Sequence, residues 1–480
     1  MRHFAFGLVA ALWGTTALAQ ATPEGAADLT ALLQTYLGSA PGVVTVAPEG
    51  EVYGVKLDFA PLLAKLPDAG AEASITPIEF KLTDNDDGTW EMTQDQSFDL
   101  QIKVPGQMEM SLHIANVTGE GTFDAGLQTF STSSTSFTDL AMVQKTTDPT
   151  MGDNTVNYTI ASGSYESTAE EGADGGVDTT MTYAVEGVAE TFSLPPMGEG
   201  APPSEITLRA ESYTGNGGAE GLRPDAMYKL LAFFVANPSE AAIAAQQGEL
   251  KTILTDGLPL FAHLVSTSTA TAITVETPMG PAALASAEIT VEANGIVEEG
   301  LFREAFVLKG LELPAGLVPD WAVPLVPSDL SLDFKVTRFN LLAPAQLLLS
   351  ALDLTKDPQL PPEVEGQLLG ALLPEGVVDV TLAPGGATAP VYTLGYEATI
   401  TAGPMTPMPT GTAKLSLTGM AEINAALAAA PEEVKMQAGP MLAMAEGMAK
   451  PGENGALVWE VEMTAEGALL VNGTNMMGGQ

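Results

Sequence analysis

The sequence predicts an α+β, β-rich fold: antiparallel sheets interspersed with helix groups, in an elongated multi-part body. Three observations carry this expectation. Apolar and polar residues alternate with a period of two over long stretches, as in Phe98, Leu100, Ile102, Val104 and then Met108, Met110, Leu112, Ile114. Turn clusters such as Asn85-Asp86-Asp87-Gly88 and Gly172-Ala173-Asp174-Gly175-Gly176 separate these stretches, and one-sided alternation marks antiparallel rather than parallel sheet. Helical periodicity arrives in groups between blocks of strands, which argues against βαβ units.

At the N-terminus, Arg2 precedes an apolar run from Phe4 to Trp13, and Ala17-Leu18-Ala19 precedes Gln20. This is the layout of a secretory signal peptide, residues 1–19, cleaved between Ala19 and Gln20. The run is broken by Gly14, Thr15 and Thr16 and is shorter than the roughly 20 residues a membrane-spanning helix needs. Thr22-Pro23-Glu24 then opens a helix with Pro at its first position, Leu29, Leu32, Leu33, Tyr36 and Leu37 share a face, and Gly38 ends it. From there to Tyr213 the alternation gives strands, completing a first unit, 20–215; its Pro-rich stretch 194–203 is expected as a long hairpin loop.

A second unit, 216–340, opens near Arg223 with Met227, Leu230, Leu231, Phe234 and Val235 on one helical face. Helical stretches follow at 239–247 and 249–264, then strands at 271–276, 287–292, 302–313 and 329–339. The third unit, 341–480, holds helices at 343–353 and 363–373 and strands at 376–382, 391–400 and 411–418. A helical region at 420–448 and a closing hairpin of 455–464 with 468–471 complete it. Met436, Met441, Met444 and Met448 are spaced for one helical face and, like Phe233 and Phe234, are expected to fill a helix–sheet core; an adaptable apolar groove is the other reading.

Composition excludes several partners. Eighteen Lys and Arg against 60 Asp and Glu give a net charge of -42 and a pI near 4.1. Nucleic acid and anionic lipid headgroups call for clustered cations, so neither is an expected partner, and the acids read as a solvated shell. The absence of Cys excludes disulfides, thiolate metal sites, Cys nucleophiles and a lipidated cysteine. With 45% hydrophobic and 16% charged residues the chain is globular rather than disordered. After the leader no membrane span is expected, the most apolar segment, 230–236, being too short. An outer-membrane barrel is opposed by the Leu-rich helices between the strands, the 6% aromatic content, and an ending, Met476-Met477-Gly478-Gly479-Gln480, that is not a strand.

Beyond the leader there are two histidines. His113 lies on the polar side of an alternating strand and His263 in the helical stretch 249–264, and neither belongs to a His-Glu-x-x-His motif or a close ligand pair. Gly-x-Ser-x-Gly, Ser-x-x-Lys and the Gly-rich phosphate loops are all missing. The run Asp84 to Gly88 resembles a calcium loop, but with Gly88 in sixth place the first and last ligand positions fall to Thr83 and Gln94, and a hairpin turn explains it better. The sequence therefore assigns no catalytic, cofactor-binding or metal-binding residue and implies no cofactor. A pair of carboxylates among the 60 acids is recognisable only by its separation in space.

Two blocks carry a resemblance. Leu317-Val318-Pro319-Asp320-Trp321-Ala322-Val323-Pro324-Leu325-Val326-Pro327 with the strand 330–339 is one. The other runs from Pro409-Thr410-Gly411 through Pro431-Glu432-Glu433, the Met-rich helix and Ala449-Lys450-Pro451-Gly452-Glu453 to Asn472-Gly473. Both are similar to blocks of a secreted alphaproteobacterial family of unknown function, the DUF 2125 type. At the level of fold the pattern also resembles envelope proteins of the AsmA-like and DUF 945 types, some of which are linked to lipid handling. The resemblance implies a periplasmic envelope protein and carries no catalytic assignment. The resulting expectation is a non-enzymatic protein that binds an apolar or amphipathic ligand, a lipid, or an envelope protein on a curved sheet covered by helices. A secreted carboxylate-based hydrolase and a structural envelope component are the alternatives.

Overall fold

A computed structural model describes residues 21–63, 72–148, 152–173, 175–194, 204–356, 361–404 and 408–476. The leader with Ala19 and Gln20, and the Pro-rich loop 195–203, lie outside the described residues.

Helix α1 (Pro23–Leu37) begins where the Thr22 hydroxyl accepts the Gly25 N–H at 3.0 Å and ends at Gly38, whose φ of 85° no other residue adopts as easily. Strands β1 (Val44–Glu49) and β2 (Val52–Leu57), the one-turn helix α2 (Ala60–Leu63), β3 (Glu72–Ile75) and β4 (Ile78–Asp84) follow. Next come six long strands: β5 (Thr89–Val104), β6 (Met108–Asp124), β7 (Thr129–Asp148), β8 (Gly152–Glu171), β9 (Val177–Leu194) and β10 (Ser204–Leu222). At about 3.4 Å per residue, their 16 to 20 residues extend roughly 55 to 70 Å.

Helices α3 (Pro224–Ala236), α4 (Glu240–Ala245) and α5 (Gln247–Asp256) precede β11 (His263–Thr277), β12 (Gly280–Asn294), β13 (Gly300–Lys309) and β14 (Asp329–Phe339). Helices α6 (Leu342–Ala351) and α7 (Pro362–Leu372) precede β15 (Val378–Ala389), β16 (Tyr392–Ala402) and β17 (Thr410–Thr418). The chain finishes with α8 (Met420–Ala428), α9 (Glu432–Met448), β18 (Lys450–Pro451), β19 (Leu457–Met463), β20 (Leu469–Val471) and β21 (Thr474–Asn475).

Among the described residues all 21 strands join one sheet. Its pairings are antiparallel, and apart from β3 and β18, which add to β5 and β19, each strand lies beside its neighbour in the chain. The sheet runs unbroken across 215/216, where β10 pairs with both β9 and β11, and across 340/341, where β14 pairs with β13 and β15. Among the described residues no pairing joins β1 to β21, so the ladder is open.

Two expectations are corrected here. His263 is not helical: α5 stops at Asp256, because Pro259 supplies no N–H to continue it, and His263 opens β11. The helical region 420–448 is two helices, parted at Pro431, which precedes α9.

One face of the sheet is sheltered and the other exposed. Along β5, Trp90, Met92, Gln94, Gln96, Phe98, Leu100, Ile102 and Val104 are half-buried, while the residues between them from Glu91 to Lys103 are exposed. The sheet curls toward the sheltered face. On a flat sheet β1 and β10 would lie about 38 Å apart, eight spacings of about 4.8 Å. Yet α1, packed on this face of β2 through Tyr53, touches α3 at the end of β10, with the Tyr36 and Tyr228 rings 5.5 Å apart.

A line of irregularities creases the long strands at mid-length. The pairing register skips Asp139, Ala161, Gly187, Glu211, Ala272 and Ala285 on successive strands β7 to β12. Asp139, Gly187 and Ala272, on alternate strands, have positive φ values of 52°, 65° and 47°. Opposed residues are skipped together and the register is the same on either side, while the sheltered positions change phase, on β7 from Leu140 and Met142 below to Phe137 and Thr135 above. Stacked in register, these skips divide the concave face into an upper half, toward α3 and α6, and a lower half.

Tight packing is local. Ala26, Val43, Val44, Tyr53 and Val55 are buried under α1, with Val43 fully so. Ala387, Ala389, Met420 and Ala430 are buried where α8 meets the other end of the sheet. Helix α9 lies on the same concave face there, since the Trp459 indole N–H donates to the Ala445 carbonyl at 2.8 Å. Between these two ends Ile160 and Ala210 at the crease, and Phe233 and Leu250 on α3 and α5, are also buried, while most of the concave face is half-buried.

Candidate functional site

The open concave face is the candidate site, and strand register assembles it. Below the crease, one row across the sheet reads Leu100, Leu112, Met142, Tyr158, Glu190, Leu208, Val275, Ala282. The adjoining row adds Ile102, Met110, Gln144, Val156, Phe192 and Ile206. These side chains are half-buried, and apart from Glu190 and Gln144 they are apolar or aromatic. Large contiguous apolar patches are uncommon on soluble monomers, which makes this face the candidate site.

Above the crease the same strands change chemistry. A row there reads Gln94, Gly119, Thr135, Tyr165, Tyr183, Gly215, Ser268, and the next reads Met92, Gly121, Ser133, Ser167, Met181, Gly217, Ser266. Glycines suit this position, because side chains crowd on the inside of a curve. The Phe137 ring occupies the place a Cβ would take at Gly163, and the Tyr183 ring does so at Gly215. The Tyr183 hydroxyl lies 2.5 Å from Ser268 Oγ and donates to the Tyr213 hydroxyl at 3.4 Å, with the two rings 5.6 Å apart. Burial pushes the Tyr183 phenol up, keeping it neutral. From β12 onward the same rows turn apolar again, with Ile289, Phe306 and Leu332 continuing the first.

Charge is sorted between the faces. Lys56, Lys81, Lys103, Lys145, Arg209, Arg303, Lys309, Lys335, Lys414 and Lys450 all pair at outer-face positions. Arg338, at the β13–β14 bulge, is bonded to Asp379 at 3.1 Å and to Glu375. At paired positions of concave parity the charged residues include Glu190 and Glu304, with Asp84 and Glu171 at strand ends.

Both histidines sit on the outer face. His113 Nδ1 lies 2.8 Å from Asp99 Oδ1. His263 Nε2 lies 3.2 Å from Glu292 Oε1, and Arg303 bridges Glu292 at 3.2 Å to Asp333, which it grips with two bonds of 2.8 and 2.9 Å. Partial burial opposes the charge on Glu292, but hydrogen bonds from His263 and Arg303 outweigh it and hold its carboxyl low. Hydrogen bonds from Arg303 do the same for Asp333, and those from Lys356, Thr355 and Gln247 for Asp353. An open depression of about 360 Å³ lies beside His263, lined also by Glu170, Asp178 and Glu220. Among the described residues no group of three or more His, Asp and Glu is arranged to hold a metal ion. The calcium-like run 84–88 is the β4–β5 turn, with Asp86 and Gly88 at positive φ.

The methionines and Phe234 correct the core reading. Met436, Met441 and Met444 are 59 to 69% exposed on α9, and Phe234 is 44% exposed, whereas Phe233 is buried. The narrow helix cover explains this: α9 meets the sheet along one side, which leaves much of its circumference without a partner.

The concave site had only a partial signal in the sequence. Alternation marked the apolar sides of the strands, but the hydroxyl belt is built from Ser, Thr, Gly and Tyr scattered over six strands, and only pairing brings them together. Among the described residues no helix is long and apolar enough to cross a membrane. Comparison with family models, curated proteins and solved structures gives no match for this chain.

Proposed function

We propose that this protein is a non-enzymatic carrier or binding protein of the bacterial periplasm, and that its ligand is an amphipathic lipid held on the concave face. One observation carries the reading: a mostly apolar floor that crosses many strands, is interrupted by Glu190 and Gln144, and is half-buried rather than buried. A lipid that removes about 400 Å² of apolar surface from water there gains on the order of 10 kcal/mol, before the cost of ordering its chains. The leader-like residues 1–19 and the resemblance to a secreted envelope family supply the compartment. The carboxylate-hydrolase alternative has less support, because the displaced carboxyls Glu292, Asp333 and Asp353 are held ionised in pairs rather than kept protonated for acid catalysis.

The test is native mass spectrometry of the mature chain purified from its own envelope without detergent. The reading expects adducts of lipid mass that organic extraction removes. Repeated preparations free of any adduct, with no uptake of an added apolar dye, would contradict it.

A further inference from the structure

Two features of the concave face say which amphiphile it takes, provided that face is the binding surface proposed above. The first is charge. At paired positions the strand cations face outward, while the concave parity holds Glu190 below the crease and Glu304 above it, with Asp84 and Glu171 at strand ends. A phosphate or carboxylate head laid on the strand floor would lose water without gaining a cation from the strands, and would meet carboxylates of its own sign.

The second is the hydroxyl belt above the crease. Tyr183, Tyr213 and Ser268 form a bonded cluster of neutral groups that can each donate and accept. Nearby, Gln94, Thr135 and Ser266 are half-buried and make no hydrogen bond through their side chains among the described residues. Unused donors and acceptors beside aromatic rings suit a head that is itself hydroxylated and uncharged. The hydrocarbon floor below the crease then receives the chains.

We propose that the groove selects uncharged amphiphiles with a hydroxyl-bearing head, the head seated at Tyr183, Tyr213 and Ser268 above the crease and the acyl chain laid along the apolar rows below it.

The experiment loads the mature chain with the apolar dye 1-N-phenylnaphthylamine and displaces it with two lipids of the same chain length, monolauroylglycerol and lauroyl lysophosphatidylglycerol, below their micelle thresholds. Monolauroylglycerol is expected to compete at least about tenfold better in low salt, the ratio narrowing as salt screens the repulsion. In the double variant Y183F/S268A the ratio is expected to fall about five- to tenfold, two hydrogen-bonding groups having been removed from the head site, while the outer-face variant T182A keeps it. Dye uptake reports on every variant that the groove has folded. Equal or better competition by the anionic lipid, competition by neither lipid in a dye-loaded groove, or an unchanged ratio in Y183F/S268A would overturn the inference and leave the carrier reading standing. Failure of dye and both lipids to bind would overturn both.

Discussion

The two faces of the sheet are made from the same strands and differ in almost every physical respect. On β6, Met108, Met110, Leu112 and Ile114 line the concave side, while Glu109, Ser111 and His113, one residue along each time, face outward. The outer face carries the strand cations, their ion pairs and both histidines, and gives its Thr- and Glu-rich ladders opposite-charge partners, as in Lys103 with Glu109 at 2.7 Å. The concave face carries apolar side chains, hydroxyls and glycines, the last suited to its curvature. The lesson is that strand alternation here does not separate a core from solvent. It separates a groove from solvent.

The largest expected effect comes from breaking this division on the concave side. Leu112→Asp places a carboxylate in the hydrocarbon floor and should weaken binding of an apolar dye by on the order of 50-fold, the cost of an unpaired charge in an apolar site. Ser111→Asp, next to it on the outer face, should change binding less than about twofold. Equal losses in the two variants would mean the faces are not distinct.

A smaller effect is expected on the outer face. Glu292 and Asp333 have carboxyls held below their unfolded values, so their contribution to stability is present above about pH 4.5 and is lost as pH falls through the folded values. Arg303→Met removes the shared partner. The variant should be less stable at pH 7, lose less stability than the parent between about pH 5 and pH 3, and bind dye as the parent does, read by urea unfolding at each pH. Parallel acid titrations in parent and variant would show that the Arg303 cluster carries none of the acid sensitivity.

Much of the fold was legible in the sequence. Thr22, Pro23 and Gly38 bounded the first helix because caps are local chemistry, and alternation located the long strands because each side chain's face is set by its neighbours. What escaped was set by partners distant in sequence. The crease depends on Asp139, Ala161, Gly187, Glu211, Ala272 and Ala285 falling at one level, a fact of register rather than of any residue type. The exposed Met436, Met441 and Met444 escaped for the same reason, since spacing shows that an apolar face exists but not whether a partner covers it. The continuity of the sheet across 215/216 and 340/341 was hidden by helix groups that look like boundaries yet only connect adjacent strands.

The chain has no native Cys, so single cysteines can test the separation of the faces directly. Met142→Cys lies on the concave floor and Ala141→Cys beside it on the exposed outer face, and the rate of maleimide labelling at each is measured with and without saturating monolauroylglycerol. If the concave face is the lipid site, the ligand slows labelling at position 142 by at least about tenfold and leaves position 141 unchanged. Equal protection at both positions, or none at 142 while the lipid is bound, would contradict the account.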